Sequence, residues 1–248
     1  MIQKKKVFIL LFTSLIVLLS PISSVFAQET TTKNLLPDKD SLTPFQNIEY
    51  TTDGNVDHVK VKGNKKADGQ AKAYHIKIDK NKGTYKVEPT DLPSNFEQMN
   101  TTSNQKGTLS TLSTTTYSGG VETITDDSVG EDLCKTRLSL SWYDYGTTIS
   151  HNYSLMSYWA ANPSIFGTHW YTSSHRLGSP YLYYGNQKLD VDASASYYNY
   201  DFLDDDLRTD VSHYIKNTAL NNGTFDYVAD WGRSGESWVT LDLDIVVY

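Results

Sequence analysis

The residues in this chain that could do chemistry are six histidines, one cysteine, a run of aspartates and a high density of tyrosine and tryptophan. The histidines are His58, His75, His151, His169, His175 and His213. None stands in an H-E-x-x-H spacing, which would put two imidazoles on one helical face for zinc. His169 and His175 are six residues apart. Along one strand face that is ~20 Å at roughly 3.3 Å per residue, too far for one metal ion unless the chain turns between them. The expectation is hydrogen-bonded structural histidines.

Acyl transfer needs a Ser or Cys beside a His, with a third group to orient it. "GRSGE" (232–236) is not a G-x-S-x-G elbow, and no spacing pairs Cys134 with a histidine. As the single cysteine, Cys134 forms no intrachain disulfide. It reads as a buried spare thiol, with an intermolecular link as the alternative. Glycoside cleavage usually needs two carboxylates at a fixed separation. Residues 121–248 contain three glutamates, Glu122, Glu131 and Glu236, and no paired-acid motif on one strand. Glu131 and Glu236 are the first residues to mutate if the chain cleaves glycans. The sequence leans away from an enzyme and assigns no catalytic residue.

Two stretches point to binding instead. "YDFLDDDLRTD" (200–210) offers hard oxygen ligands, and Asp201, Asp204, Asp205 and Asp206 are candidate ligands for calcium. Calcium takes several such oxygens, although the spacing is not an EF-hand. The competing reading is a solvated turn with Arg208 pairing one aspartate. "WAANPSIFGTHWYTSSHRLGSPYLYYG" (159–185) has two tryptophans, two histidines, four tyrosines and no acid. Exposed Tyr and Trp rings stack on the C–H faces of sugars while their polar tips bond to hydroxyls. Trp170, Tyr171, Arg176, Tyr181, Tyr183 and Tyr184 are therefore the candidate ligand-binding residues. "SPYLYYG" (179–185) is the stronger half, because turn residues flank it and loops lie on the surface. The other half, with Trp159 and Trp170, reads mainly as core filling, because the domain is poor in large aliphatics.

The elements that must position these residues are strands. Residues 1–27 carry Lys4, Lys5 and Lys6, an apolar run and small residues at Val25-Phe26-Ala27, the pattern of a cleaved signal peptide. Residues 28–45 read as a flexible N-terminus. In residues 46–90, Val59 and Val61, then Tyr74, Ile76 and Ile78, alternate with polar neighbours. "DKNKGT" (79–84) is a turn signal. This small basic β unit has nine lysines and six acids, and alone it could bury little. Residues 91–120 form a Ser/Thr-rich linker that ends at Gly119-Gly120. Residues 121–248 hold all five tryptophans and fourteen of the eighteen tyrosines. Period-two alternation runs through Leu138–Trp142, Leu189–Tyr197, Val211–Ile215, Phe225–Trp231 and Val239–Val247. Asn221-Asn222-Gly223 marks a hairpin turn and "WGRSGES" (231–237) the next one. The fold class is all-β: an antiparallel, jelly-roll-like β-sandwich after a small β unit and a linker.

At "YWAANPSIFGTHWYTSS" (158–174) and "SYYNYDFLDDDLRTDVSHYI" (196–215) this domain resembles a group of small secreted proteins of Gram-positive bacteria. The resemblance implies secretion and carries over no activity and no functional residue.

Without residues 1–27 the chain has 22 − 3 = 19 basic and 29 acidic residues, a net charge of −10. That argues against nucleic acid or anionic lipid as the main partner. No later segment is apolar enough to span a bilayer. The leading expectation is a secreted, extracellular protein that binds a carbohydrate or cell-wall polymer. Glycan cleavage is one alternative. Another is a toxin or bacteriocin-like protein, since 108–125 loosely resembles the amphipathic hairpin of pore formers. A third is a zymogen-like arrangement, with the basic 46–90 unit docked as a pro-region on the acidic domain. Oligomeric state is left open.

Overall fold

The computed structural model describes residues 30–93, 96, 114–127, 129–162, 169–200, 208–235 and 241–248. Among the described residues there are fifteen strands and no helix, arranged in two large sheets. The first sheet runs β1 (Thr31–Asn34), β3 (Asn47–Asp53), β4 (Val56–Lys66), β14 (Thr224–Ser234), β13 (Thr209–Leu220), β12 (Lys188–Asn199) and β10 (Tyr171–Leu177), with β11 (Tyr181–Tyr183) also paired to β12. The second runs β2 (Leu36–Pro37), β6 (Thr84–Thr90), β5 (Lys72–Asp79), β15 (Asp242–Val247), β7 (Thr115–Asp126), β8 (Asp132–Asp144) and β9 (Ile149–Ala160). The short β2 pairs with β6 in parallel, and the other pairings are antiparallel.

Alternation makes these strands. In β12, Leu189, Val191, Ala193, Ala195 and Tyr197 are buried, and the residues between them face outward. β13 and β14 repeat the pattern and are joined at Asn221-Asn222-Gly223, where Gly223 takes φ +70°. Such a turn favours positive φ, which glycine adopts without a steric penalty. The turn expected at 79–84 is also present, with Gly83 at φ +68°. Beyond Gly235, most of "WGRSGES" falls outside the described residues.

The two-sheet, all-β reading holds. The finer jelly-roll reading does not follow from this strand order, in which β7-β8-β9 and β12-β13-β14 are simple meanders. The expected boundary at the 46–90 unit is also redrawn. β4 pairs with β14 along its whole length, from Thr224↔Lys66 to Ser234↔Val56. β5 pairs with β15, from Leu243↔Ile76 to Val247↔Lys72. The thin apolar content of 46–90 is the reason. Val59, Val61, Ile76 and Val87 enter the same buried cluster as Leu138, Ile215 and Ile245, so neither part closes a core without the other. Of the N-terminal stretch read as flexible, β1 and β2 flank a buried Leu35.

The linker reading changes as well. Residues 94–95 and 97–113 lie outside the described residues, but Thr115–Gly120 begin β7. Gly119 is there for packing: a Cβ on it would stand 2.4 Å from the Phe225 ring. The described part of the stretch compared with a pore-forming hairpin, 114–125, is mostly this buried strand between β15 and β8. Among the described residues no helix is long and apolar enough to cross a membrane.

Between the sheets runs a chain of buried hydrogen bonds. Trp231 Nε1 on β14 donates to Thr125 Oγ1 on β7 at 2.8 Å. Thr125 Oγ1 lies 2.8 Å from His213 Nε2 on β13, and His213 Nδ1 lies 3.0 Å from Thr136 Oγ1 on β8. Thr136 Oγ1 meets the Tyr197 hydroxyl at 2.7 Å, and that hydroxyl donates to the Lys135 carbonyl at 2.5 Å. Because the Tyr197 hydroxyl spends its proton on the Lys135 carbonyl, Thr136 donates to Tyr197 and accepts from His213 Nδ1, which leaves Nε2 to accept from Thr125. His213 is then the neutral tautomer with its proton on Nδ1, donating to Thr136. Burial pushes its pKa down to about 3. Nearby Cys134 is a free thiol, fully buried, and its pKa is raised by the same desolvation.

A buried neutral imidazole makes stability depend on acid. The folded pKa is below the unfolded one, so the stability is present above pH ~6.5 and is lost as pH falls toward the folded value. His213→Gln should melt lower than wild type at pH 7, because it breaks the chain. Its fall in Tm between pH 7 and pH 4 should nevertheless be smaller by about 6–13 °C, at ~1.36 kcal/mol per unit over roughly 2.5 units and roughly 2–4 °C per kcal/mol. Equal falls in both proteins, by circular dichroism, would remove His213 as the acid-sensitive group.

Candidate functional site

Tyr181, Tyr183 and Tyr184 form an exposed ring cluster on the β11–β12 hairpin. Tyr181 pairs with Asp190 and Tyr183 with Lys188 across the ladder. Leu189 is buried, so Lys188 and Asp190 face outward and both tyrosines share that face. The Tyr181 and Tyr183 rings stack at 5.8 Å and 15°, and Tyr184 tilts against Tyr183 at 5.1 Å. Tyr181 is 66% exposed and Tyr184 72%. The Tyr183 hydroxyl donates to Asp190 Oδ1 at 3.0 Å, and the Lys188 ammonium sits 5.5 Å from the Tyr184 ring centre. Burial, then the Asp190 carboxylate, hold the Tyr183 phenol above its ordinary pKa. The turn needs left-handed backbone at Tyr184 (φ 50°), Gly185 (φ 64°) and Asn186 (φ 63°). A bulky residue in that region costs roughly 1–2 kcal/mol, and the displayed Tyr184 ring recovers little of it by packing.

A second cluster lies near the other end of β12. Tyr171 stacks on Tyr198 at 5.3 Å and 22°, and Tyr200 meets Tyr198 edge-on at 5.3 Å. The Arg208 guanidinium lies 4.8 Å from the Tyr198 ring. Arg208 also holds the Asp210 carboxylate through Nε at 2.9 Å and Nη2 at 2.6 Å, as the solvated-turn reading anticipated for one aspartate. From Lys188 to Tyr198 the outward face of β12 spans on the order of 33 Å at roughly 3.3 Å per residue. Arg176 lies along this face, exposed and ion-paired with Asp192. At the sheet edge Tyr158 of β9 stacks on His175 of β10 at 4.1 Å.

The structure separates the sequence candidates. Tyr171, Arg176, Tyr181 and Tyr184 are exposed and Tyr183 is half-buried. Trp170 is not available to a ligand: it is 1% exposed, inside the main core, because the domain has too few large aliphatics to fill that volume. Trp159, expected in the core with Trp170, is instead 47% exposed on β9, with Lys135 5.6 Å from its ring. Asp201, Asp204, Asp205 and Asp206 lie outside the described residues, as does Glu236. Glu131 sits exposed in the turn before β8, and Glu122 is buried against Arg137 at 2.8 Å. His58, His151, His169 and His213 hydrogen-bond to neighbouring side chains, as expected of structural histidines.

A different constellation, not anticipated from the sequence, occupies the outer face of the second sheet. His75 of β5, Asp126 of β7 and Asp244 of β15 each offer a ligand atom, all within 4.8 Å of one another, and so could hold a metal ion. Carboxylates suit the calcium raised from composition, and the imidazole adds a nitrogen donor. His75 Nδ1 is 2.5 Å from Asp244 Oδ1, and Nε2 is 3.7 Å from Asp242 Oδ2. The Asp244 hydrogen bond raises the His75 pKa. Burial, followed by the charges of Asp244 and Asp132, holds Asp126 well above the usual carboxylate range. One signal was available: in "LDLDIVV" (241–247), two aspartates share one face of an otherwise apolar strand. His75 and Asp126 had no such signal, because their proximity comes only from pairing across β15.

In comparisons with known proteins, no family model, no curated protein and no solved structure matches the chain.

Truncating the two classes of ring should separate them in urea melts. Trp170→Ala should cost about 3–5 kcal/mol, as a large core deletion does. Tyr181→Ala should stay within about 0.5 kcal/mol of wild type.

Proposed function

We propose that this chain is a secreted protein that binds a carbohydrate or cell-wall polymer on the outer face of its first sheet. The observation that carries the reading is the Tyr181–Tyr183–Tyr184 cluster. Two of its rings are strongly exposed, and Tyr184 is held in an unfavourable backbone region that displays it to solvent. Flat rings beside fixed polar groups suit a sugar, whose C–H face stacks while its hydroxyls reach Asp190, Lys188 and the phenols.

The length and charge of the face support a polymer with little net charge. A second ring cluster around Tyr171 and Tyr198 lies along the same strand. Between the two clusters the cations are already paired, Lys216 with Asp190 at 2.6 Å and Arg176 with Asp192. Few unpaired charges remain along β12 to attract a polyanion. The signal-like N-terminus supports export, and the all-β two-sheet fold with exposed aromatic clusters fits a non-catalytic binding domain.

The test is retention on insoluble peptidoglycan, chitin and cellulose, followed by a soluble glycan array. Wild type should be retained on at least one. The double variant Tyr181→Ala/Tyr184→Ala should bind that polymer about tenfold or more weakly, ~1.4 kcal/mol, with unchanged Tm. If wild type binds none of these, or the double variant binds as well as wild type, the reading is wrong.

A further inference from the structure

We propose that His75, Asp126 and Asp244, with Asp242 beside them, form a site for one divalent transition-metal ion of the zinc or manganese class. The site would clamp three strands drawn from distant parts of the chain. It is independent of the polymer-binding face, which belongs to the other sheet.

The placement follows from register. Asp244 is opposite His75 on one side of β15, while on the other Asp242 is opposite Asp126. Asp126 is in turn opposite Asp132 on β8. Three aspartates thus stand in a row across β15, β7 and β8, with a fourth and an imidazole one step along. Like charges directly opposite on a sheet repel. Asp132 is relieved by Lys135. No cation pairs with Asp126 among the described residues, although its side chain is 4% exposed. Its Oδ1 is buried without a hydrogen-bond partner, and the charged groups around it are the carboxyls of Asp244 and Asp132. A buried polar atom left in that state calls for an explanation, and a cation held there is one of the few available.

The donor set selects the ion. One imidazole nitrogen with two or three carboxylate oxygens suits zinc or manganese. At metal–ligand distances of ~2.0–2.2 Å, tetrahedral ligand atoms stand roughly 3.3–3.6 Å apart, so atoms within 4.8 Å close on an ion by small side-chain rotations. Calcium needs six to eight oxygens. Here β15 lies between two partners, so its carbonyls are committed to the ladders and cannot supply them. His75, Asp242 and Asp244 keep 20%, 15% and 13% side-chain exposure, which leaves the ion a way in from solvent. A bound ion would tie β5 to β15 and β7, across the seam where residues 46–90 join the rest of the fold. It would bind the folded chain and not the unfolded one.

The experiment uses the full chain after EDTA treatment and desalting. Zinc chloride, manganese chloride and calcium chloride are titrated by calorimetry and thermal shift. Zinc or manganese should bind one to one and raise Tm by about 5–10 °C at a hundredfold excess over Kd. Asp126→Asn should melt at or above the metal-free wild type, since its neutral amide can donate to the carboxylates beside it, yet lose the metal response. His75→Gln should lose it too, and His58→Gln, at an unrelated histidine, should keep it. Absence of one-to-one zinc or manganese binding overturns the site. So does a response that survives in both Asp126→Asn and His75→Gln, which would mean adventitious surface binding. A larger shift with calcium than with zinc or manganese overturns the choice of metal.

Discussion

The fold depends on a row of buried hydrogen bonds between its sheets. Trp231, Thr125, His213, Thr136 and Tyr197 come alternately from the first and second sheets, and each donates to the next. In a purely apolar interface, one sheet could slide over the other with modest loss. Here a slip of one residue turns Thr125 and Thr136 outward and leaves His213 and the Trp231 indole without partners. Unpaired buried groups cost about 1–3 kcal/mol each, so the chain sets register as well as cohesion. It also explains how a core with few large aliphatics packs: the ring residues fill volume, and their polar tips are satisfied inside.

With the inner faces fixed, the outer faces take different roles. The first sheet shows solvent a checkerboard of paired charges along β12 and β13, with ring clusters at either end. The second sheet is covered where β7, β8 and β15 meet. Arg137 lies 4.5 Å from the Phe96 ring, Phe96 meets Tyr248 edge-on at 5.3 Å, and Tyr248 bonds Ser139 at 2.6 Å. The row of aspartates borders this covered patch, which is why Asp126 is nine-tenths buried while His75 still reaches solvent. One face displays ring clusters to solvent, and the other gathers carboxyls around an imidazole at the edge of a covered patch.

Much of the fold was legible in local pattern. The alternation in 189–197, 211–215 and 225–231 and the turn at Asn221-Asn222-Gly223 appear where the residue types require them. The ring cluster at Tyr181–Tyr184 was readable for a related reason, since turn residues flank it and put it on the surface. Trp170 was harder. A large ring beside turn residues suits either a core or a platform, and only the packing of two sheets shows which one lacked volume.

By itself, then, the sequence determined strand identity, the inward and outward face of most strands, and the display of the β11–β12 hairpin. Each depends on neighbours two to four residues away, and a period-two pattern records those directly. Only the tertiary structure decided that residues 46–90 share a core with the C-terminal strands, that His213 is sealed between sheets, and that His75 meets Asp244 and Asp126. The physical reason is sequence distance. β5 and β15 lie about 170 residues apart, and their pairing rests on backbone hydrogen bonds that any residue pair can make, so no local pattern marks His75 and Asp244 as partners.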